Sequence, residues 1–160
     1  MEIHMANMFW NWQTRPEYTG FGEKMSTDFS FQEGDQFRWE RHISAEDVTR
    51  FAEIIGDLNP IHLDAEFAAN SSFKKRIVHG AFLAGLISKV LGMDFPGQGT
   101  VYISQNSVFK RPVYVDTRFL VEVKVTQVIA EKRRLILDTN ILNSDNQVCL
   151  SGSATVWLPE

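Results

Sequence analysis

The chain has 160 residues, of which 44% are hydrophobic and 22% are charged, and its formal net charge is −4. These values are typical of one globular domain with a sizeable core. The acidic balance argues against a nucleic-acid partner, whose phosphates need a basic surface. No apolar run approaches the roughly 20 residues that span a bilayer. We therefore predict neither a nucleic-acid partner nor a membrane partner.

The N-terminal residues and the cysteine content indicate the compartment. Glu2, Glu17 and Glu23 lie in a segment without a basic start or a continuous apolar run, which is not typical of a secretory signal or a transit peptide. The single cysteine, Cys149, excludes an internal disulfide and is interpreted as a packed thiol. These features predict a cytoplasmic protein.

Residues 1–30 contain several aromatic side chains without a regular period, namely Phe9, Trp10, Trp12, Tyr18 and Phe21. Disordered tails are normally poor in aromatic residues. We therefore predict an N-terminal arm over residues 1–30 that packs on its own domain or on a partner subunit, with a disordered leader as the alternative. Residues 31–160 form the predicted domain.

A turn at residues 33–35 is followed by alternating apolar positions up to residue 43, which predicts a strand. Ser44 and Asp47 have the spacing of a capping box and predict the start of a helix. That helix should end at Gly56, because glycine readily takes the left-handed conformation that closes helices.

The residues after Gly56 bring together a carboxylate, an amide and an imidazole, in Asp57, Asn59 and His62. Pro60 pushes Asn59 toward an extended conformation, so the bent segment should aim Asp57 and His62 in the same direction. A carboxylate beside an imidazole can hold one water and move its protons. Taken alone, a turn role for Asp57 and a structural role for His62 would also explain the two residues.

Residues 77–92 are apolar on nearly all sides, which predicts a buried helix that Gly92 ends. The first N–H groups of a helix lack intrahelical partners, so Gly80 is a ready donor to an oxygen that carries negative charge. The basic run at residues 74–76 is interpreted as a solvated face, or as a contact for an acidic ligand.

The rest of the sequence predicts strands within residues 99–113, 119–126, 135–142 and 148–158. Short turns join the last three, which indicates an antiparallel meander. The predicted fold class is α+β, with one long buried helix against a curved antiparallel sheet of five or six strands. An edge strand and one flank would remain available for another subunit.

Several stretches resemble the signatures of one known family. Residues 51–64, FAEIIGDLNPIHLD, resemble the hydratase motif of MaoC-like dehydratases and R-specific enoyl-CoA hydratases. Residues 77–80, 97–102 and 107–115 resemble the signatures that follow it, and the likeness runs from about residue 31 to residue 159. One departure is Val115-Asp116-Thr117, where the family has a Gly-Asp pair, which puts the geometry of that turn in doubt.

The resemblance implies a hot dog fold, a homodimer and an acyl tunnel near the dimer interface. It also implies reversible addition of water to trans-2-enoyl thioesters, giving R-3-hydroxyacyl thioesters, with no cofactor. The catalytic pair of the family falls on Asp57 and His62, and its oxyanion donor falls on the backbone N–H of Gly80. A serine that hydrogen-bonds the catalytic Asp falls on Ser88, and the motif asparagine falls on Asn59.

Three further polar residues are His79, Lys110 and Arg111. His62 and His79 lack a third ligand at suitable sequence spacing, so no metal site is predicted, and the family uses none. His79 is interpreted as a structural hydrogen-bonding residue. Lys110 and Arg111 either contact the phosphates of coenzyme A or form a solvated strand end.

The sequence therefore predicts a hydro-lyase that acts on acyl thioesters of coenzyme A or of an acyl carrier protein. One alternative is a hot dog acyl-CoA thioesterase, and another is a non-catalytic acyl-thioester binding module. Hydrolysis does not require the Asn-Pro-x-His turn, and a binding module does not require both acid–base residues. These two features favour the hydratase.

Overall fold

The computed structural model describes residues 29–159. Its helices are α1 (Ala45–Ile55), α2 (Pro60–Leu63), α3 (Ala65–Asn70) and α4 (Gly80–Lys89), with a π-helical turn at Val90–Asp94. Its strands are β1 (Gln36–Ile43), β2 (Val101–Phe109), β3 (Thr117–Ile129), β4 (Arg134–Asn143) and β5 (Val148–Trp157). The predicted arm lies outside the described residues except at its end, where the ring of Phe29 packs edge-to-face on that of Phe31 at 5.7 Å.

The five strands form one antiparallel sheet in the order β1-β3-β4-β5-β2. Consecutive strands β3, β4 and β5 are neighbours, as the predicted meander requires. Helix α4 lies against one face, and the core between helix and sheet contains Leu83, Ile87, Val121, Val123 and Leu137, all nearly inaccessible to solvent. The α+β architecture is thereby confirmed.

The central helix begins and ends later than the sequence indicates. Ile77 pairs with Tyr114 in an isolated β-bridge and the N–H of Val78 donates to Val113, so these residues are extended and α4 begins at Gly80. The prediction that Gly92 ends the helix is wrong. Gly92 lies inside the π-helical turn, and the chain leaves the helix only at Phe95, which is extended before a proline.

Helix α4 is not buried on all sides within one chain. Leu83, Leu86 and Ile87 face the sheet, whereas the small residues Ala81, Gly85 and Ser88 have exposed positions. The helix therefore has one uncovered face lined by small side chains. No helix within residues 29–159 is long and apolar enough to cross a membrane.

The turn that departs from the family pattern keeps a left-handed residue. Asp116 has φ of 60°, a conformation that glycine adopts most easily and that Asp tolerates better than most residues. Its carboxylate accepts a hydrogen bond from the N–H of Ala45 at 3.0 Å, and its own N–H donates to Ile43 at 2.9 Å. These bonds tie the turn before β3 to the start of α1.

The path from β1 to the loop after α1 follows local signals in the sequence. Ser44 and Asp47 form both bonds of the predicted capping box, at 3.1 and 3.0 Å. Gly56 closes α1 with φ of 76°, which would cost a residue with a Cβ about 1–2 kcal/mol. Pro60 then begins α2, at a position where its missing N–H is not needed.

Candidate active site

The loop after α1 is closed by short-range hydrogen bonds that centre on Asn59. Its N–H donates to Oδ1 of Asp57 at 3.2 Å, and its side-chain Oδ1 accepts from the N–H of Ile61 at 3.2 Å. Its carbonyl accepts from the N–H of His62 at 3.0 Å. Asn59 therefore orients the carboxylate on one side of the bend and caps the helical turn that carries the imidazole on the other.

The structure brings the side chains of Asp57, His62 and His79 together. One carboxylate oxygen and one nitrogen from each ring lie within 4.8 Å of one another. The carboxylate of Asp57 is about half exposed, at 49%, whereas His79 is 2% exposed and His62 is 9% exposed. The cluster thus has a buried floor of two imidazoles and a carboxylate that faces solvent.

The tautomer of His62 follows from its backbone contact. Nδ1 lies 2.8 Å from the carbonyl oxygen of Ile77, which can only accept, so Nδ1 carries the proton and Nε2 has a lone pair when the ring is neutral. Burial lowers the pKa of His62 and the neighbouring His79 lowers it further, against the opposing effects of the Ile77 carbonyl and of Asp57. The neutral ring is therefore favoured.

His79 is the residue before α4, and its ring contacts both other members of the cluster. Nε2–H donates to the backbone carbonyl of Asp57 at 3.1 Å. The ring stacks on that of His62, with centroids 3.7 Å apart and planes 27° apart, and its other neighbour is Phe51 at 5.4 Å. The sequence indicated a hydrogen-bonding histidine but gave no sign of the stacking.

Gly80 places an N–H group at the start of α4 for which residues 29–159 supply no acceptor. Its backbone is not left-handed, so conformation alone does not require glycine here. A Cβ at this position would lie 2.9 Å from two ring carbons of Phe109. Phe109, which lies inside the stretch 107–115 that resembles a family signature, therefore packs directly over the residue that carries this N–H. Sequence reasoning did not single it out.

Sequence spacing indicates no third metal ligand beside His62 and His79. In the structure, Asp57 offers a ligand atom within 4.8 Å of one nitrogen from each ring, although 22 residues separate it from His79 in the chain. The directions of the ligand atoms do not suit an ion, however. A lone pair lies in the plane of its ring, and the planes of two stacked rings do not meet at a point between them, as a shared tetrahedral site would require.

The remaining predicted site residues lie around this cluster. Ser88 is on the exposed face of α4, and within the described part of a single chain no hydrogen bond joins it to Asp57. Lys110 and Arg111 directly follow Phe109 and are exposed. Arg111 donates from its guanidinium to the carbonyl of Val148 at 2.9 Å, which anchors this end of β2.

Comparison with known proteins identifies the family of the chain. The family model described as MaoC like domain matches residues 28–145. A 3-hydroxybutyryl-CoA dehydratase of Methylorubrum extorquens is 47% identical over 76% of this chain and 76% of its own length. An (R)-specific enoyl-CoA hydratase of Aeromonas caviae is 38% identical over 81% of this chain and 97% of its own length.

Solved structures agree with the sequence matches. The (R)-hydratase from A. caviae involved in PHA biosynthesis has a TM-score of 0.79 at 38% identity, covering 81% of this chain and 98% of that one. An unliganded R-hydratase from Pseudomonas aeruginosa has a TM-score of 0.77 at 35% identity, covering 81% and 83%. The fold is therefore the hot dog fold, in the form shared by hydratases and dehydratases. Within that class, the chain belongs to the MaoC-like domain family.

The protonation of His62 can be measured without any substrate. We expect its neutral ring to carry the proton on Nδ1 and to have a pKa below 6.5, the ordinary value for histidine, because burial disfavours the charged ring. Proton–nitrogen correlation spectra of the imidazoles across a pH series report both quantities, with His62→Gln used to assign the signals. A midpoint at or above 6.5, or a neutral ring protonated on Nε2, would contradict this description.

Proposed function

We propose that this chain catalyses the reversible addition of water to a trans-2-enoyl thioester, giving an R-3-hydroxyacyl thioester, and that Asp57, His62 and Gly80 perform the reaction. The protein is accordingly a hydro-lyase. The observation that carries the proposal is the carboxylate of Asp57 within 4.8 Å of an imidazole nitrogen of His62. The relatives named as hydratase and dehydratase support the same reaction.

The first step is the binding of one water by two acceptors. The Asp57 carboxylate and Nε2 of neutral His62 can each accept one of its protons. With hydrogen bonds of about 2.8 Å and tetrahedral geometry, two acceptors bridged by one water are about 4.6 Å apart. A carboxylate oxygen of Asp57 and a ring nitrogen of His62 lie within 4.8 Å of each other. Both protons are then engaged, and a lone pair of the oxygen is left to attack the substrate.

The reaction uses Asp57 as the base and the N–H of Gly80 as the electrophile. The water oxygen forms a bond to C3 of the enoyl group while Asp57 takes one of its protons, and His62 keeps the water aligned. The π electrons move toward the thioester carbonyl, where the N–H of Gly80 stabilises the enolate oxygen by about 3 kcal/mol, as donors in other oxyanion holes do. The proton that Asp57 took from the water is then delivered to C2, which completes the addition. The reverse sequence is dehydration.

The other predicted residues have supporting roles in this proposal. Asn59 holds the carboxylate of Asp57 through its N–H. Ser88 offers a hydroxyl on the exposed face of α4, the helix that begins at Gly80. Lys110 and Arg111 are exposed just after Phe109, in reach of the coenzyme A phosphates if the thioester carbonyl binds at Gly80. Relatives include enzymes named for coenzyme A and for acyl-carrier-protein substrates, and we propose the coenzyme A thioester.

We propose that the active form is a homodimer joined through β2. This strand is one edge of the sheet, and its apolar side chains Val101, Ile103 and Val108 are between 41% and 53% exposed in a single chain. Proteins normally cover such an edge. The opposite edge, β1, instead presents Arg38, Glu40 and His42 to solvent, and charged side chains discourage pairing there.

The proposal includes a cytoplasmic location. It is supported by the cysteine content, since the one cysteine, Cys149, is free and fully buried. A fold without disulfides needs no oxidising compartment.

Removing either proposed acid–base group should abolish most of the turnover. We expect Asp57→Ala and His62→Ala to reduce the hydration rate by at least roughly 10²-fold, the usual contribution of a positioned acid–base group, because either change removes one acceptor of the bound water. The rate is followed by the loss of enoyl-CoA absorbance, and folding is checked by circular dichroism. His42→Ala, at an exposed histidine on β1, is the matched control and should keep wild-type activity. Near-wild-type hydration by the Asp57 or His62 variant would reject the assignment.

Placing a charge on the free edge tests the homodimer. We expect the wild-type protein to have twice the 18.3 kDa mass of one chain in light scattering. Val108→Lys should shift it toward the monomer, because an unpaired ammonium would be buried in the interface. His42→Lys, on the opposite edge strand, should leave the mass unchanged. A monomeric wild type, or dissociation by the β1 change alone, would contradict pairing through β2.

A further inference from the structure

We propose that His79 is the positioning residue of this site, because one buried imidazole sets the relative placement of Asp57, His62 and Gly80. The inference rests on the proposed function and deepens it. His79 itself need not touch the substrate. Its role is to keep the base, the water-orienting ring and the oxyanion donor in one arrangement, which neither the resemblance nor the relatives' names assign to it.

The bond to Asp57 acts on the backbone. Nε2–H of His79 donates to the main-chain carbonyl of Asp57 at 3.1 Å, and the same nitrogen is 4.0 Å from Oδ2 of that residue. Asp57 follows the left-handed Gly56 and its side chain is half exposed, so few other contacts restrain it. The local bond from Asn59 orients the carboxylate relative to its own loop. The bond from His79 joins that loop to the residue before α4.

The contact with His62 acts on the face of its ring. The Ile77 carbonyl accepts a hydrogen bond from Nδ1 of His62 at one edge of the ring. The ring of His79, stacked at a centroid distance of 3.7 Å, packs against its face. The hydrogen bond at the edge and the stacked ring on the face together determine where the lone pair of Nε2 points. In the proposed reaction, Nε2 binds the water.

The third link is covalent. His79 is the N-cap of α4, and its carbonyl accepts from the N–H groups of Phe82 and Leu83 at 3.1 and 3.2 Å. The next residue is Gly80. The side chain of His79 therefore contacts the backbone of Asp57 and the ring of His62. Its main chain starts the helix that presents the N–H of Gly80.

A packing role alone would not call for an imidazole. Nδ1 of His79 is buried without a partner among the described residues, and an unpaired buried polar atom is destabilising. An apolar ring would fill the space between Phe51 and His62 without that penalty. What the imidazole adds is the bond from Nε2 to Asp57.

Two substitutions separate the donor from the ring. His79→Phe keeps an aromatic ring against His62 and loses the donor, whereas His79→Gln keeps an amide donor and loses the ring. We expect His79→Phe to lower kcat roughly 10²-fold, as a misplacement of about 1 Å can, with little change in KM because the carrier end of the substrate binds elsewhere. We expect His79→Gln to recover part of that kcat. His42→Gln, at the exposed histidine of β1, should behave as wild type.

The readouts distinguish positioning from stability. All rates are compared per folded molecule, well below each variant's unfolding midpoint, and the imidazole spectra report the His62 ring in each variant. We expect the His62 resonances to shift in both variants at position 79 and not in His42→Gln. A wild-type kcat in His79→Phe would overturn the inference, as would unchanged His62 resonances in both variants. Absence of hydration by the wild-type protein would instead refute the proposed function, so the two failures are distinguishable.

Discussion

The site depends on the hydrogen bond between the ring of His79 and the backbone carbonyl of Asp57. It joins two segments that are far apart in the chain, the loop after α1 and the start of α4, at 3.1 Å. It therefore joins the loop that carries the carboxylate of Asp57 to the helix that carries the N–H of Gly80. The ring of His62, stacked on that of His79 with centroids 3.7 Å apart, lies beside the same bond.

The rest of the fold determines the position of α4 and of Gly80. The sheet supports α4 along its buried side, and the bridge between Ile77 and Tyr114 sets where the helix can begin. Phe109, at the end of β2, packs over Gly80, where a Cβ would lie 2.9 Å from its ring. The site is therefore built where β2, α4 and the loop after α1 meet. The strand that ends at Phe109, β2, is also the apolar free edge through which the two chains are proposed to assemble.

Sequence reasoning succeeded where the determinants are local. The capping box of Ser44, the left-handed Gly56 and the bend at Pro60 each depend on residues within a few positions, and each is present in the structure. It failed where partners are distant. The start of α4 depends on Tyr114, the pair of Asp57 and His62 is joined by His79, and the ring of Phe109 packs over Gly80. No spacing rule along the chain contains these contacts, although all of these residues lie in the stretches that carry the family resemblance.

The central claim is that this cluster adds water to an enoyl thioester on one defined face, and one measurement tests it directly. Purified protein is incubated with crotonyl-CoA in water enriched in oxygen-18, and the products are analysed by mass and by chiral separation. The account predicts R-3-hydroxybutyryl-CoA with the label at C3 and no release of free coenzyme A thiol. Formation of the S product, or release of the thiol without hydration, would contradict it.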